Sequence, residues 1–195
     1  MPTSSWRLST AHNVRAEQAA SDTEVRISEL ATPEMANFLG KLFGGALLAM
    51  IDKAAYVCAA RYAGTVCVTA SFDRVDFHSP IEVGELVHLT AQVHHVGRTS
   101  LGIGIEVHSE NVQTGEVRHT NSSYVTMVAL RDGKPAPVPP LVCDTPEAKR
   151  HYLLAKYRRE YRTEYSERVA RREAELVQMS EEELDRLLAE TRRSS

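Results

Sequence analysis

The sequence has few of the features that mark disulfide-rich or metal-binding proteins. Of its 195 residues only three are cysteines, Cys58, Cys67 and Cys143, and no two of them form a CxxC pair. An odd number with this spacing fits neither a disulfide framework nor a zinc site, so we expect reduced thiols. The eight histidines include no HExxH or other metal-ligand spacing, and we therefore expect no metal.

Long apolar segments are also missing. The apolar run Leu42–Ile51 has ten residues, whereas a membrane-spanning helix needs roughly 20, so we expect no membrane span. Residues 1–22 mix Ser, Ala and Arg with Glu17 and lack the apolar centre of a secretory signal. We expect a flexible tail there and a cytoplasmic location. The alternative is a transit peptide that directs a eukaryotic protein to an organellar matrix.

Charge of one sign is not in excess, but the charges are unevenly distributed. The formal net charge is −3, from 23 Lys and Arg against 26 Asp and Glu. Residues 146–195 hold 12 of the cations and 11 of the anions, so more than half of the cations lie in the last quarter of the chain. Because glutamates match these cations, the region has no basic field for nucleic acid, and we expect no such partner.

One strongly apolar segment is followed by several alternating ones. Residues 44–63 are apolar on almost every helical face, which predicts a buried helix about 30 Å long. A strand is predicted over 24–30, and the segments after the helix alternate with the period of two that marks an antiparallel sheet. We therefore predict an α+β fold in which this sheet wraps around the central helix. Turn residues separate the strands at 80–84, 96–98, 111–115 and 132–133.

A proline-rich stretch at 135–140 separates this domain from a charged C-terminal region. Thr145-Pro146 is typical of a helix start, and Ser180 with Glu183 forms a capping box for a second helix. We expect an apolar stripe on the first helix to pack on its own domain or on a neighbouring protomer. The stripe is Leu153, Tyr157, Tyr161, Tyr165 and Val169. The predicted organisation is a tail over 1–22, a domain over 23–140 and a helical extension over 141–195.

Asp52 is difficult to explain by packing alone. Three and four residues away on its own helix stand only uncharged side chains: Leu48, Ala49, Ala55 and Tyr56. A carboxylate in an apolar segment costs several kcal/mol unless a partner satisfies it. Asp52 is therefore a candidate functional residue. The alternative is that it turns to solvent beside Lys53.

Gly44 and Gly45 stand where this helix is predicted to begin. The first N–H groups of a helix have no partner within it, and glycine lets a ligand approach them closely. Such donors form oxyanion holes, in which each is worth about 3–4 kcal/mol of transition-state stabilisation. Paired glycines also serve tight turns and close packing, so both interpretations stay open at this point.

Taken in order, these residues resemble a family signature. Segment 37–45, Asn-Phe-Leu-Gly-Lys-Leu-Phe-Gly-Gly, followed by Asp52, is similar to the N-x-x-G-x-x-F-G-G … D signature of hotdog-fold acyl-CoA thioesterases. Within that superfamily it resembles the cytosolic, brain-type acyl-CoA hydrolases and their single-domain bacterial relatives. Further matches follow at 68–69, 77–84, 96–100 and 128–135. The resemblance covers roughly residues 24–140.

The resemblance implies a function and a role for individual residues. It implies hydrolysis of fatty acyl-CoA to free fatty acid and CoA without a cofactor, coenzyme A being part of substrate and product. Asp52 matches the catalytic carboxylate, a general base or a nucleophile, and Asn37 matches its amide partner from the other protomer of a dimer. The other matches are Gly44 and Gly45 as backbone donors to the thioester carbonyl, and Phe43, Thr69, Gly97, Arg98, Thr99 and Ser100 near substrate or CoA.

Segment 97–100 is in any case a turn between two predicted strands, in which Arg98 supplies a fork of donors suited to phosphate. Only one Asn…Asp signature is present, so an identical chain must complete the interface, as a dimer or as a trimer of dimers (a hexamer). The alternatives are a non-catalytic acyl-CoA-binding or sensing protein and a hotdog hydratase or dehydratase. The latter usually uses a histidine, and none lies between Asn37 and Arg74.

Overall fold

The structure is a computed structural model that describes residues 17–193. They form two compact units, one ending at Ala155 and the other beginning at Lys156. At the centre of the first unit lies a long helix, α1 (Gly44–Ala63), whose bounds agree with those predicted from its apolar composition. It follows Phe43, which offers no side-chain cap, and it ends at Gly64, whose φ of 65° closes the helix in the left-handed conformation.

An antiparallel sheet curls around α1. The strands of the structure are β1 (Gln18–Ala19), β2 (Val25–Leu30), β3 (Val66–Phe77), β4 (Leu86–Val96), β5 (Ser100–Glu110), β6 (Val117–Arg131), β7 (Lys134–Pro135) and β8 (Leu141–Val142). The order of strands in the curled sheet is β2-β4-β5-β6-β3, with β7 paired to the end of β6, and a separate two-stranded parallel sheet joins β1 to β8. Asp132 and Gly133, both with positive φ, form the tight turn between β6 and β7.

The core lies between α1 and the inner face of the sheet. Small residues on the buried side of α1, including Ala54, Ala55 and Ala59, are fully buried and let the helix approach the strands closely. The strands contribute alternate residues, as their period of two predicts: Val87, Leu89, Ala91 and Val93 of β4, Leu101, Ile103, Ile105 and Val107 of β5, and Val125, Met127 and Ala129 of β6. The inner face of the sheet is therefore continuous and apolar.

The three cysteines are free thiols, as expected. Burial raises the pKa of Cys58 to about 12 and that of Cys67 to about 11. Both thiols consequently remain protonated at neutral pH and serve as small apolar side chains of the core.

On the outer face of the sheet, two glycines of β5 make room for rings. A Cβ on Gly104 would lie less than 3.0 Å from the imidazole of His94, and one on Gly102 equally close to the hydroxyl of Tyr124. The His94 ring stacks on His151 with a centroid distance of 4.0 Å. His151 belongs to the first turns of α2 (Pro146–Gln178), so these glycines allow the start of α2 to pack on the sheet.

The packed first unit extends beyond both of the boundaries expected from sequence. At its C-terminal end, Thr145 Oγ1 accepts a hydrogen bond from the Ala148 N–H at 3.0 Å, which confirms the predicted helix start. Ala148 and Ala155 are buried, and the first unit ends at Ala155, whereas the sequence predicted that the domain ends at residue 140. At the other end, residues 1–16 of the predicted tail lie outside the described residues. Residues 18–22 of that tail are ordered in β1 and in a 3-10 helix, Ala20–Thr23, in which Ala20 is buried.

The second unit consists of the remainder of α2 and of α3 (Glu181–Arg193). The predicted capping box is confirmed, since the Ser180 N–H donates to Glu183 Oε2 at 2.8 Å and the Glu183 N–H to Ser180 Oγ at 3.4 Å. Along the predicted stripe, Tyr157, Tyr161, Tyr165 and Val169 are 45–69% exposed. These four side chains are not packed against other described residues of the second unit.

None of the helices between residues 17 and 193 is long and apolar enough to cross a membrane.

Gly104→Ala is expected to destabilise the protein, although alanine normally suits a strand better than glycine. The added Cβ would overlap the His94 ring, which stacks on His151, so the free energy of unfolding should fall by about 1–3 kcal/mol. Urea denaturation followed by circular dichroism measures this change. In a His94→Ala background the same substitution should cost much less. Equal losses in both backgrounds would show that the ring does not require this glycine.

Candidate active site

Asp52 lies half-buried in the middle of α1 and faces β3. Thr69 of β3 donates a hydrogen bond from Oγ1 to Asp52 Oδ1, and the same hydroxyl lies 3.3 Å from the sulfur of Met127. Lys53, the neighbouring cation, lies 3.8 Å from Glu29 instead. Asp52 is therefore satisfied by a strand hydroxyl and not by a cation. Within residues 17–193 this is the one hydrogen bond of the Asp52 side chain, and Oδ2 stays available as a proton acceptor.

Asn37 lies in the loop before α1, and that loop holds its side chain. Asn37 Oδ1 accepts hydrogen bonds from the backbone N–H groups of Leu39, at 2.9 Å, and Lys41, at 3.1 Å. Gly40 takes a φ of 74° in the same turn, which explains why a glycine stands there. Because the carbonyl oxygen is engaged by the loop, the side-chain NH₂ is the part of Asn37 that remains for a ligand.

Gly44 and Gly45 form the first turn of α1, as predicted. The Phe43 carbonyl accepts hydrogen bonds from the N–H groups of Ala46 and Leu47, at 2.9 and 3.1 Å. The N–H groups of Gly44 and Gly45 have no acceptor in the described part of the chain. Close packing is also confirmed, because a Cβ on Gly45 would lie less than 3.0 Å from the Phe43 ring. Gly45 is therefore required for close packing, and its N–H group stays available for a ligand.

We call Asn37 with the N–H groups of Gly44 and Gly45 the donor cluster, and Asp52 with Thr69 the carboxylate pair. Asp52 follows the two glycines by eight and seven residues, which is about 11 Å along the helix axis. No hydrogen bond joins Asn37 to Asp52 within residues 17–193. One chain therefore brings Asp52 and Thr69 together but keeps the N–H groups of Gly44 and Gly45 about 11 Å away along α1, too far for both to contact the same substrate atom.

The turn between β4 and β5 lies at the same end of the sheet as Thr69. Ser100 of β5 pairs with Val128 of β6, and Met127, the residue before Val128, pairs with Thr69 of β3. Two strand spacings therefore separate this turn from the carboxylate pair, a distance of about 10 Å. Its backbone is fixed, since Gly97 N–H donates to Ser100 O at 2.8 Å and Thr99 O accepts from Ala129 N–H at 2.9 Å.

Arg98 is the exposed cation of this turn. Its backbone oxygen accepts a hydrogen bond from the Val138 N–H at 3.1 Å, which fixes the residue at its main chain. The guanidinium forms no ion pair with any residue between 17 and 193. Arg98 therefore presents an unneutralised planar cation on a rigid turn.

Large apolar side chains around the donor cluster are exposed. Phe38 is 98% exposed, and Leu39, Phe43 and Phe77 are each more than half exposed. Phe77 belongs to β3, which is an edge strand of the sheet and carries further exposed apolar residues. A contiguous apolar surface beside an open strand edge is typical of a protein interface.

Among the described residues, no group of three or more His, Cys, Asp or Glu side chains is arranged to hold a metal ion. The groups that the structure does present are a carboxylate with a spare oxygen, a set of N–H donors at a helix start and an exposed guanidinium. Such a set suits acyl transfer to water, which needs a base and donors for an oxyanion.

Comparison with known proteins identifies the class to which this fold and site belong. Residues 39–116 match the Thioesterase superfamily. The chain is 45% identical over 144 residues to protein VdlD of Helicobacter pylori, covering 74% of this chain and 83% of that protein. It is 37% identical over 126 residues to an uncharacterised acyl-CoA thioester hydrolase of Zymomonas mobilis, covering 64% and 85%. The chain belongs to the acyl-CoA thioester hydrolase family of the thioesterase superfamily.

Solved structures agree with this assignment. An apo-hexameric acyl-CoA thioesterase superposes with a TM-score of 0.74 at 40% identity, covering 78% of this chain and 98% of that one. The acyl-CoA hydrolase of Staphylococcus aureus in complex with butyryl coenzyme A superposes with a TM-score of 0.73 at 31% identity, covering 83% and 99%. The fold is therefore the hotdog fold, as the resemblance implied.

Alanine variants of the Staphylococcus aureus hydrolase have also been solved, at an asparagine, an aspartate and a threonine. In that chain the aspartate follows the asparagine by 15 residues and the threonine follows the aspartate by 17. The same intervals separate Asn37, Asp52 and Thr69 here. The contact of Thr69 with Asp52 was not predicted, because alternation along a strand does not show which helical residue a hydroxyl faces. Met127 carried no sequence signal at all.

Proposed function

We propose that this protein is an acyl-CoA thioesterase, which hydrolyses fatty acyl-CoA to a free fatty acid and CoA. The observation that carries the proposal is the hydrogen bond from Thr69 to Asp52, because it holds a carboxylate with one unused oxygen in an otherwise apolar helix. The substrate class is supported by the acyl-CoA hydrolases among the relatives and by the acyl-CoA complex of a structural neighbour.

Asp52 is the base of the proposed reaction. Its Oδ2 takes a proton from a water molecule, whose oxygen adds to the thioester carbonyl carbon. The carbon–sulfur bond of the resulting tetrahedral species then breaks, and the proton passes to the sulfur of CoA, so that the products are the acid and the free thiol. Thr69 acts as a positioning residue that orients the carboxylate through Oδ1. The alternative route uses the same residues. In it Asp52 attacks the thioester carbonyl carbon, the carbon–sulfur bond breaks and CoA leaves as the thiol, and water then hydrolyses the mixed anhydride between Asp52 and the acyl group.

The donor cluster stabilises the oxyanion in this proposal. The N–H groups of Gly44 and Gly45 stand at the positive end of the α1 dipole, where negative charge is favoured. The NH₂ of Asn37 adds a donor whose orientation is held by the loop. Each donor of this kind is worth about 3–4 kcal/mol when the carbonyl oxygen becomes negative.

A second copy of the chain completes the site. The glycine N–H groups and the carboxylate pair of one chain cannot contact the same atom, so we propose that each site combines the donor cluster of one protomer with the carboxylate pair of its partner. The exposed apolar surface next to the β3 edge supports this arrangement. Isologous pairing gives two equivalent sites per dimer, and we propose a trimer of dimers as the full assembly, in line with the hexameric neighbour.

The proposed reaction needs no cofactor, because a base, water and oxyanion donors are sufficient for thioester hydrolysis. Coenzyme A enters as part of the substrate and leaves as product. We propose the cytoplasm as its location, since the chain keeps three free thiols and a reducing compartment preserves them.

Asp52→Asn should abolish the activity while preserving the shape of the side chain. Without the base, kcat for release of free thiol from a panel of acyl-CoAs should fall by about a thousandfold. Thr69→Val removes only the positioning hydroxyl and should lower kcat about tenfold, whereas Thr69→Ser should retain most of it.

Addition of EDTA is expected to leave the wild-type rate of thiol release unchanged. Thiol release that persists in Asp52→Asn would refute the assigned mechanism. Tight binding of acyl-CoA to the wild-type protein without any release of thiol would instead indicate a sensor.

Mixing two inactive variants tests whether the site is shared. Asn37→Ala and Asp52→Ala chains each lack half of every site, but a mixed dimer contains one site with both residues intact. After subunit exchange at equal concentrations, about a quarter of the wild-type activity should return, because half of the dimers are mixed and each has one working site. Native mass spectrometry of isotope-labelled chains verifies the exchange. A verified exchange without recovery would place both residues in the same chain's site.

Arg98→Gln should weaken substrate binding without impairing the chemical step. We propose that the free guanidinium binds a phosphate of CoA, so KM should rise roughly three- to tenfold while kcat stays within twofold. Steady-state kinetics at low and high salt measure this, and the difference from wild type should shrink as salt screens the charge. Arg131, an exposed cation at the end of β6, offers a matched control, because Arg131→Gln removes the same charge elsewhere. An unchanged KM in Arg98→Gln would remove Arg98 from the CoA site.

A further inference from the structure

The second unit lacks the internal packing that would account for its stability. None of the residues between 156 and 193 is buried, although α2 contributes a helix of 23 residues to this unit, about 35 Å long. Most of the stability of protein helices comes from packing an apolar face. The unit has such a face, the stripe Tyr157, Tyr161, Tyr165 and Val169, but within the described chain that face is exposed.

The helix α3 does not supply this packing. Its own apolar residues Leu184 and Leu188 are exposed, and it contributes no buried residue. With 13 residues it is also at the lower limit for a helix that is stable alone. The unit therefore presents two apolar faces, one on α2 and one on α3, and both lack a partner within residues 156–193.

The charges of the second unit are segregated along the chain. Residues 156–172 hold seven Lys and Arg against three Glu, whereas residues 173–190 hold one Arg against seven Asp and Glu. The balanced total thus conceals a basic half followed by an acidic half. Two copies side by side in parallel would place like charges together, whereas two antiparallel copies would place each basic half beside an acidic half.

We propose that this unit is an assembly surface whose partner is the same unit of a second copy, paired in antiparallel orientation. The apolar stripe supplies the surface that the pairing buries. The segregated charges set the orientation. The unit lies beyond residues 39–116, the part that matches the superfamily model.

A zero-length cross-link tests the orientation, because Lys156 is the single lysine among residues 156–195. Carbodiimide coupling joins a lysine to a carboxylate that it touches. Antiparallel pairing should join Lys156 of one copy to the acidic residues of α3 in the other. Within one chain such a link is out of reach, since Lys156 lies about 33 Å from the end of α2 and α3 is only about 20 Å long.

The experiment uses the full chain, mixed from ¹⁵N-labelled and unlabelled protein, with mass spectrometry of the cross-linked peptides. The link between Lys156 and Glu160, which lie 3.9 Å apart in one helix, reports that the lysine is reactive. Mixed-isotope peptides joining Lys156 to residues 181–190 should form. Their yield should fall at least tenfold in the double variant Tyr161→Glu, Tyr165→Glu. Thr163→Glu, on the opposite side of α2, should leave the yield unchanged.

Charge reversal provides a second measurement. Replacing Glu173, Glu175 and Glu182 by Lys should abolish pairing by that chain alone, and so should replacing Arg168, Arg171 and Arg172 by Glu. A mixture of the two variants should pair again through the complementary halves. Two outcomes would overturn the proposal. One is that Lys156 links to Glu160 of its own chain but forms no mixed-isotope link to α3. The other is that mixed-isotope peptides join Lys156 to Glu160 of a second copy, which indicates parallel pairing. The thioesterase assay takes no part in this test, so its outcome is independent of the proposed function.

Discussion

The packing of α1 against the inner face of the curled sheet is the interaction on which the rest of the structure depends. Small side chains such as Ala54 and Ala59 let the sheet approach the helix closely, and this closeness brings the Thr69 hydroxyl onto the Asp52 carboxylate. The same packing leaves the start of α1 free, with the N–H groups of Gly44 and Gly45 unpaired within the described chain. One helix therefore orients both a carboxylate and a pair of N–H groups.

The helix α1 also keeps two parts of the candidate site apart within one chain. Its rise of about 1.5 Å per residue keeps Asp52 some 11 Å from the two glycines, and no rotamer change removes that distance. In the site proposed above a second copy of the helix supplies the other half, and the exposed Phe38 and Phe77 give that copy an apolar surface to contact. Catalysis and oligomerisation would then depend on each other, since the surface that joins two chains is also the surface at which their half-sites meet.

The outer face of the sheet carries a different kind of packing. Gly102 and Gly104 leave space for the rings of Tyr124 and His94, and the start of α2 docks there through His151. On the later turns of α2, the stripe of tyrosines is exposed. Segregated charge on this extension can set the orientation of a partner without adding net charge, so composition alone does not reveal it.

The sequence by itself determined the bounds of α1, the strand faces and the helix caps, because each depends on residues close in the chain. The hotdog architecture was implied by the resemblance of segment 37–45 and Asp52 to a family signature, and not by local contacts. The sequence also identified Asn37, Gly44, Gly45 and Asp52 as one set, through their order and spacing. Only the tertiary structure decided that Thr69 donates a hydrogen bond to Asp52 and that the His94 ring packs against Gly104. It also decided that the glycine N–H groups lie far from the Asp52 carboxylate in one chain. These are distances between residues far apart in sequence, and periodicity carries no information about them. The end of the first unit at Ala155 is likewise a property of the folded chain, in which Ala148 and Ala155 are buried.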